Sequence, residues 1–347
     1  MSEYNGYERL KQDAPNAIQI ELVEGCNLAC SFCGIQQIRD NGADGPSWTH
    51  GKNSKEYKFM EKETLFWLLG LLSQVRKTWN PRFEFAMHGE PTMHPDYCDF
   101  IKSTRAYFPH SSIMMTSNGG GLLGDITSKI DTLLDSGLNL LFLDNYERIR
   151  IVDKIKEKYN GKYKVYEYPK DPLGNPHSRR KPNVKMIVVG ADLTIATSGT
   201  HAQVSNHAGS AFPLNHKQDG KRCAKPFREL SIRWDGNVAL CCNDWTGIYK
   251  CGNIKDYKNI DNLWNNDAFH HARVKLYHGE RDFGACNGCD NTTIRNGLLP
   301  DRMGKIELPK PNVMTKRFID QACSGNTYTK AVKPIYDFIK TPSDKLI

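Results

Sequence analysis

The chain lacks several features that would assign it directly to a common class of protein. It has no run of about eighteen apolar residues, so we expect no membrane-spanning helix. Its polar opening segment, MSEYNGYERLKQDAPN, has no apolar signal-peptide centre. We find no internal repeat, low-complexity segment, P-loop, dinucleotide fingerprint or hydrolase triad. Since 39% of its 347 residues are hydrophobic, we expect a globular cytoplasmic protein with a substantial core.

Acidic residues are fewer than basic ones, which gives a formal net charge of +8. The excess is spread thinly along the chain, which favours a generally basic enzyme over a nucleic-acid-binding surface. Nucleic acid nevertheless stays open as a partner, with the basic stretches RIRIVDKIKEKYNGKYK and SRRKPNVK as its candidate footprint.

Cysteine is present in an uneven distribution. A disulfide framework is not expected for the eleven cysteines, because the cytoplasm keeps thiols reduced. Cys98 and Cys323 stand alone, and the others form an early group at 26, 30 and 33 and a late group at 223, 241, 242, 251, 286 and 289. Close-spaced thiols in a reducing compartment indicate two metal sites.

Strand-like and helix-like stretches alternate over the first two hundred residues. The pattern predicts helices at 63–79, 96–108, 127–137 and 145–160, and strands at 17–23, 82–87, 111–117, 138–144, 164–168 and 184–190. This alternation is typical of a parallel sheet, and about six such units favour an α/β partial barrel. Functional residues should then lie at the carboxyl ends of the strands.

Four regions are expected along the chain. Residues 1–13 form an amino-terminal tail and 14–210 the barrel. Residues 218–292 form a small cysteine-rich domain, and 293–347 a tail with a candidate helix around 328–340. The segment SNHAGSAF at 205–212 is either a strand-end segment facing the site or a plain glycine-containing loop. We expect most histidines, including His207 and His270, to be surface residues.

The early cysteine group lies in EGCNLACSFCG, directly after the first predicted strand. A structural zinc site recruits four ligands, and the nearest additional candidate, His50, lies seventeen residues after Cys33. Three thiolates on one tight loop suit a cubane cluster that keeps one iron free to bind another molecule.

The C-x3-C-x2-C spacing, with Phe32 before the third cysteine, resembles the signature of the radical S-adenosylmethionine (radical SAM) superfamily. The resemblance implies a partial (β/α)6 TIM-like barrel and a [4Fe–4S] cluster on Cys26, Cys30 and Cys33. In that family the free iron binds S-adenosylmethionine. Reduction then yields methionine and a 5′-deoxyadenosyl radical, which abstracts a hydrogen atom from the substrate. An electron donor such as flavodoxin or ferredoxin is implied as a partner.

Two further motifs carry the same resemblance. HGEP, which begins at His88, is similar to the family's GGEP motif, and TSNGG follows the next strand. The residues that the resemblance assigns to the cofactor are Gly89, Glu90, Pro91, Ser117, Asn118 and Gly119, with Asp144 reaching the ribose or the substrate. His88 replaces a glycine of the family pattern, which predicts a less flexible loop.

The late group resembles the SPASM domain or the shorter twitch domain, which bind auxiliary [4Fe–4S] clusters. Gly236 in WDGN predicts a hairpin turn shortly before Cys241. No cysteine follows Cys289 until Cys323, so we expect one auxiliary cluster. Its implied ligands are Cys223, Cys241, Cys286 and Cys289, with Cys242 competing for the place of Cys241 and Cys251 as a weaker candidate. A structural zinc ion on the same thiolates is the alternative.

The resemblance implies an oxidoreductase or modifying enzyme that abstracts hydrogen, and the single auxiliary cluster favours dehydrogenase-like or small-substrate chemistry. Peptide or protein modification is an alternative, weakened because only about sixteen residues precede the first predicted strand. Modification of a nucleotide or nucleic-acid base, and a metal-binding protein without catalysis, also stay open. The sequence identifies neither the substrate nor a general base.

Overall fold

The structure is a computed structural model that describes residues 14–28, 30, 33–34, 57–76, 78–146, 149–167, 184–192, 205–211, 218 and 220–291. The described strands are β1 Ala17–Ile20, β2 Val23–Glu24, β3 Lys58–Phe59, β4 Arg82–Phe85, β5 Ile113–Ser117, β6 Leu140–Asn145, β7 Val165–Glu167, β8 Met186–Asp192, β9 Glu229–Ile232, β10 Asn237–Ala239 and β11 Lys250–Asn253. The described α-helices are α1 Lys62–Ser73, α2 Tyr97–Tyr107, α3 Ile126–Asp135, α4 Ile151–Lys158, α5 Ile260–Trp264 and α6 Asp267–His278.

The main sheet joins nine of the described strands in the order β11-β10-β9-β1-β4-β5-β6-β8-β7. From β9 to β7 all neighbours are parallel, and Ile18 at its centre pairs with Phe83 on one side and Leu230 on the other. The order departs from chain order where β8 rather than β7 lies beside β6, and where β9 returns to lie beside β1. Strands buried on both sides of the sheet need continuous apolar runs, and IMMTS and LLFLDN supply them.

The helices bury one apolar stripe each. In α3 the buried side chains are Ile126, Ile130, Leu133 and Leu134, a spacing that places them on one face of the helix. The helix is capped by Asp125, whose carboxylate accepts a hydrogen bond from the Ser128 amide at 3.0 Å. These side chains join one core with the buried strand residues Phe83, Phe85 and Leu141.

The predicted alternation of strands and helices is confirmed, with shifts at element ends. The predicted strand 17–23 divides into β1 and β2, and the helix predicted over 145–160 begins only at Ile151. Arg150 precedes that helix in a left-handed conformation, so it breaks the helical path from β6. The candidate helix at 328–340 lies outside the described residues. Among the helices that the structure describes, none has the length and apolarity required to cross a bilayer.

The cysteine-rich region is continuous with the barrel sheet. β9 pairs in parallel with β1, and β10 pairs antiparallel with β9 through the turn predicted at Gly236, where φ is +87°. The sheet therefore extends from the barrel into the hairpin that ends just before Cys241. This continuity fixes the late cysteines relative to the carboxyl ends of the barrel strands.

Candidate iron–sulfur and cofactor site

The early cysteines share one cavity. Cys26, Cys30 and Cys33 line a space of about 400 Å³ together with residues that follow β4 and β5. The Cys33 amide donates to the Cys30 carbonyl at 3.1 Å, which folds the C-x2-C segment into a turn. All three cysteines are half-buried. Three sulfur donors around one cavity at the strand ends fit a cluster with one iron unligated by the protein.

Asn118 connects the cysteine loop to the segment after β5. Its side-chain amide donates to Cys26 Sγ at 3.3 Å and to Asn27 Oδ1 at 3.0 Å. The Leu28 amide donates to the same sulfur at 3.4 Å. Burial and the Glu90 carboxylate raise the pKa of the Cys26 thiol, so a cation must accompany its thiolate form. Hydrogen bonds to a ligand sulfur of this kind are a lever on cluster potential.

Glu90 organises the two predicted cofactor loops. Its buried carboxylate accepts hydrogen bonds from Thr92 N at 3.0 Å, Thr92 Oγ1 at 2.5 Å, Ser117 Oγ at 2.5 Å and Asn118 N at 2.7 Å. Burial raises the pKa of Glu90, while these donors oppose that shift. Pro91 begins the short 3-10 helix Pro91–Met93 that Glu90 caps. The carboxylate thus fixes the loop after β5 against the loop after β4.

Two glycines are required by close approach or backbone conformation. A Cβ atom on Gly89 would lie 1.9 Å from the Val23 carbonyl oxygen and 2.6 Å from that of Gly25. Gly119 has φ of +75°, and a Cβ there would lie 2.3 Å from Ile151 Cγ1. Both positions therefore accept glycine alone without a backbone shift. The sequence pattern placed both in cofactor loops, and the geometry supplies a reason for each.

Asp144 lies near the site but is not part of the cavity wall. It is the last residue but one of β6, and its carboxylate lies against Gly190 of β8, where a Cβ would lie 2.3 Å from Asp144 Oδ1. Tyr146, two residues further along, does line the cavity. Burial first, and then Asp144, raises the pKa of the Tyr146 hydroxyl, so this phenol stays protonated at neutral pH.

His88, the departure from the family motif, is a buried bridge to the cysteine-rich domain. Its Nε2 donates to the Cys242 carbonyl at 3.1 Å, and its Nδ1 lies 2.8 Å from both Arg233 Nη1 and Glu21 Oε1. A nitrogen cannot accept from the guanidinium and donate to the carboxylate at once. Burial and Arg233 lower the pKa of His88, which favours the neutral ring that accepts from Arg233.

The same buried network pairs Arg233 with the carboxylates of Glu21 and Glu24 beside the HGEP loop. Arg233 Nη2 donates to Glu24 Oε2 at 2.6 Å and Arg233 Nε lies 3.6 Å from Glu21 Oε2. Burial pushes the pKa of Glu21 upward, but the Arg233 guanidinium holds it below its ordinary value. Burial and Glu21 raise the pKa of Glu24 to about 7. The predicted stiffening of this loop therefore has a structural source in a buried ion network.

Trp245 and His207 form a wall of the cavity that sequence reasoning did not find. Their rings stack with centroids 4.9 Å apart and an interplanar angle of 9°, and His88 packs on Trp245 at 4.6 Å. The Gly34 amide, next to Cys33, donates to His207 Nδ1 at 3.1 Å. The expectation of a surface role for His207 was wrong, because the Trp245 ring covers it, and burial lowers its pKa to about 4.

The expectation of a surface role was also wrong for His270, which is buried on α6. Of the two interpretations of 205–212, the site-facing one holds for Ser205 and His207, which line the cavity. One signal for the remaining wall was present in the sequence. Gln19 and Glu84 are polar residues within buried strands, and they face each other with Gln19 Nε2 3.4 Å from Glu84 Oε2.

The late thiols come together from three separate segments. Burial, followed by the neighbouring Cys242, Cys286 and Cys289 sulfurs, raises the pKa of Cys241. Burial, Cys223 and Cys289 raise that of Cys286 in the same way. These mutual effects require the four predicted ligand thiols to lie near one another. A turn with Cys289 N donating to Cys286 O at 3.3 Å repeats the geometry of the early C-x2-C.

Cys241 and Cys242 differ in their surroundings. Cys241 is near Cys286 and Cys289, whereas Cys242 lines the cavity of the early cysteines and accepts a hydrogen bond from Lys225 Nζ at 3.1 Å. Cys251 is buried in the main hydrophobic core as part of β11. Among the residues described, no three Cys, His, Asp or Glu side chains converge closely enough to hold a single metal ion.

Comparison with known proteins identifies the late region. Residues 223–290 match the SPASM family of iron–sulfur cluster-binding domains. This segment of the chain is a SPASM domain. It lies within the 218–292 that the cysteine pattern indicated. No curated protein sequence matches the chain.

Two solved structures share the fold of this protein over 82% and 80% of the chain. The crystal structure of BtrN in complex with AdoMet and 2-DOIA is similar at 20% identity, covering 82% of this chain and 98% of BtrN, with a TM-score of 0.58. Selenomethionine BtrN in an open conformation aligns at 20% identity over 80% of this chain and 92% of BtrN, with a TM-score of 0.51. The predicted α/β fold, a parallel partial barrel followed by a small cysteine-rich domain, is thereby confirmed.

Proposed function

We propose that this protein is a radical SAM enzyme that cleaves S-adenosylmethionine reductively and abstracts a hydrogen atom from its substrate. The observation that carries the proposal is the shared cavity. Three cysteines of one loop, the Glu90-linked loops after β4 and β5, and Cys242 and Trp245 of the SPASM domain all line it. This arrangement brings a three-thiolate site, a cofactor cradle and the auxiliary domain to one reaction space.

In this proposal Cys26, Cys30 and Cys33 hold a [4Fe–4S] cluster, whose chemistry when bound is the one-electron reduction of the cofactor. The cofactor lies along Gly89, Glu90, Pro91, Ser117, Asn118 and Gly119, with Asp144 toward its ribose or the substrate. Gly89 allows the backbone to approach closely, and Glu90 holds both loops in register. Trp245 and His207 exclude water from the cysteine loop on the side of the SPASM domain.

The auxiliary [4Fe–4S] cluster is assigned to Cys223, Cys241, Cys286 and Cys289. Four protein ligands leave no open iron, so this cluster suits electron transfer or substrate positioning. Cys241 is preferred over Cys242 because its sulfur interacts with Cys286 and Cys289, whereas Cys242 lines the cavity of the early cysteines. Flavodoxin or ferredoxin is proposed as the donor to the early cluster.

We favour dehydrogenase-like or other small-substrate chemistry. The cavity is of the size that holds small ligands, and Gln19, Glu84 and Tyr146 add polar groups to its wall. The similarity to BtrN, whose crystal structure contains AdoMet and 2-DOIA, supports the same direction.

The test is anaerobic reconstitution followed by reduction with dithionite in the presence of S-adenosylmethionine. We expect about eight irons per chain, from two four-iron clusters, and release of 5′-deoxyadenosine. The matched control is a Cys26→Ala, Cys30→Ala, Cys33→Ala triple variant, which should retain about four irons and release no 5′-deoxyadenosine. Zinc in place of iron, or a loaded early cluster that never cleaves the cofactor, would leave a metal-stabilised binding protein.

A further inference from the structure

A buried lysine lies between the SPASM thiols and the cavity. Lys225 is only 6% exposed, and its Nζ donates to Cys242 Sγ at 3.1 Å. The sulfurs of Cys241 and Cys223 are also near enough to interact with its ammonium group electrostatically. A lysine in this position is unusual, because burying an ammonium ion costs free energy unless partners offset it.

The buried carboxylate that pairs with Lys225 is that of Glu229, and Arg228 contacts the same carboxylate. Glu229 Oε2 lies 3.2 Å from Lys225 Nζ, while the other Glu229 oxygen contacts Arg228. Glu229 is fully buried on β9, four residues after Lys225 in the sequence. A single carboxylate therefore serves two cations at the edge of the SPASM thiols.

The excess of positive charge continues into the barrel. Arg82 Nη2 lies 2.9 Å from Glu84 Oε2, and Arg82 and Arg228 are close enough to interact with each other. Burial and Arg82 lower the pKa of Arg228 to about 10, which leaves it charged at neutral pH. The five buried ionisable side chains of this group are the cations Lys225, Arg228 and Arg82 and the carboxylates Glu229 and Glu84, a net charge of +1.

We propose that Lys225 and its shared carboxylate Glu229 set the reduction potential of the auxiliary cluster, raising it so that this cluster favours the electron-rich state. The ammonium group lies 3.1 Å from Cys242 Sγ, directly beside the ligand Cys241, and a cation so close to a cluster stabilises its more negative form. The inference rests on the proposed assignment of a cluster to Cys223, Cys241, Cys286 and Cys289. A raised potential makes this cluster easier to reduce, which gives it a redox role in addition to holding the fold.

The experiment is an EPR-monitored redox titration of the full chain that carries the Cys26→Ala, Cys30→Ala, Cys33→Ala substitutions. Only the auxiliary cluster then contributes to the signal. We expect Lys225→Met to lower the midpoint potential, Lys225→Arg to leave it close to that of the parent, and Glu229→Gln to raise it. Methionine and arginine both fill the space of the lysine, but only arginine keeps its positive charge. A difference in midpoint potential between Lys225→Met and Lys225→Arg therefore reports the charge and not the packing.

An unchanged potential in Lys225→Met at full iron content would overturn the inference. Where Lys225→Met fails to hold iron, Glu229→Gln decides, and the absence of an upward shift would then overturn it equally. The outcome is separate from that of the proposed function. The midpoint potential could respond as expected in a protein that never releases 5′-deoxyadenosine. That result would contradict the proposed radical reaction and would support the role of Lys225.

Discussion

The two cysteine regions contain the same local motif and differ in how they are completed. Each has a C-x2-C segment closed by an amide-to-carbonyl bond, of 3.1 Å from Cys33 to Cys30 and 3.3 Å from Cys289 to Cys286. The early region adds Cys26 from the same loop. The late region adds Cys223 and Cys241 from segments more than forty residues away in sequence.

The late region is consequently held by long-range contacts. Arg281 Nε donates to the Lys221 carbonyl at 2.8 Å, which ties the segment before Cys286 to the segment before Cys223. Asn206 Nδ2 donates to the Gly288 carbonyl at 2.7 Å, so the loop with His207 docks on the late C-x2-C. Because His207 also binds Gly34, the two regions share one connecting loop. A local site needs only its own turn, whereas a dispersed site depends on the fold around it.

The largest expected effect is on the local site. Cys26→Ala should abolish release of 5′-deoxyadenosine while leaving about four irons on the chain, since the late thiols are untouched. Iron analysis and a chromatographic assay of the nucleoside measure both. Cys98→Ala is the matched control, because Cys98 is a free, half-buried thiol on α2 away from either group. Cleavage that survives in Cys26→Ala would contradict the assigned role.

Gly89→Ala should reduce cleavage by about tenfold or more without changing the ligands. The added Cβ would lie 1.9 Å from the Val23 carbonyl oxygen, so the HGEP loop must move, at a cost of ~1–3 kcal/mol. The same assay measures the rate at saturating iron. Gly70→Ala on α1 is the control, since nothing lies within 4 Å of its Cβ position, and it should stabilise the fold by about 0.5–1 kcal/mol. Equal rates in the two variants would show that close approach at Gly89 is unimportant.

Cys286→Ala tests the dispersed site. We expect it to lose about half of the iron and to retain some cleavage, because the early loop keeps its own turn and its hydrogen bonds to Asn118. Complete loss of cleavage in a chain whose circular dichroism is unchanged would show that the two sites are not separable.

The smallest expected effect distinguishes two adjacent thiols. Cys241→Ala should lose the auxiliary iron, whereas Cys242→Ala should keep it, since Cys242 faces the cavity and Lys225. Iron content of the two variants, prepared side by side in the early-cysteine triple variant, is the measurement. The reverse result would move the ligand assignment to Cys242 and place Lys225 in direct contact with a ligand sulfur.

Much of the fold followed from local pattern. The parallel sheet was predicted because strand-like and helix-like stretches alternate over the first two hundred residues. The turn at Gly236 was predicted because WDGN is a typical hairpin-turn sequence, and the positive φ of Gly236 is one that glycine adopts readily. Element ends were less predictable. α4 begins at Ile151 because Arg150 takes a left-handed conformation, which no composition signal in NYERIR announces.

The cavity wall was predictable only in part. Glu90, Ser117 and Asn118 were predicted from motifs, and their hydrogen bonds bring them together as expected. Trp245 and His207 were missed, because a single tryptophan and a single loop histidine carry no spacing signal. Their position depends on β9 pairing with β1, a contact between residues more than two hundred positions apart.

The sequence by itself determined the three-thiol loop, the strand and helix alternation, and the HGEP and TSNGG loops after β4 and β5, because each is encoded within a short window by spacing, periodicity or a required glycine. The tertiary structure alone decided that β8 lies beside β6, that His88 bonds to the Cys242 carbonyl, and that Lys225 lies buried against the late thiols. Those features depend on which distant segments meet. The physical reason is that side-chain burial and ion pairing are set by the packing of the whole sheet, and no local pattern specifies it.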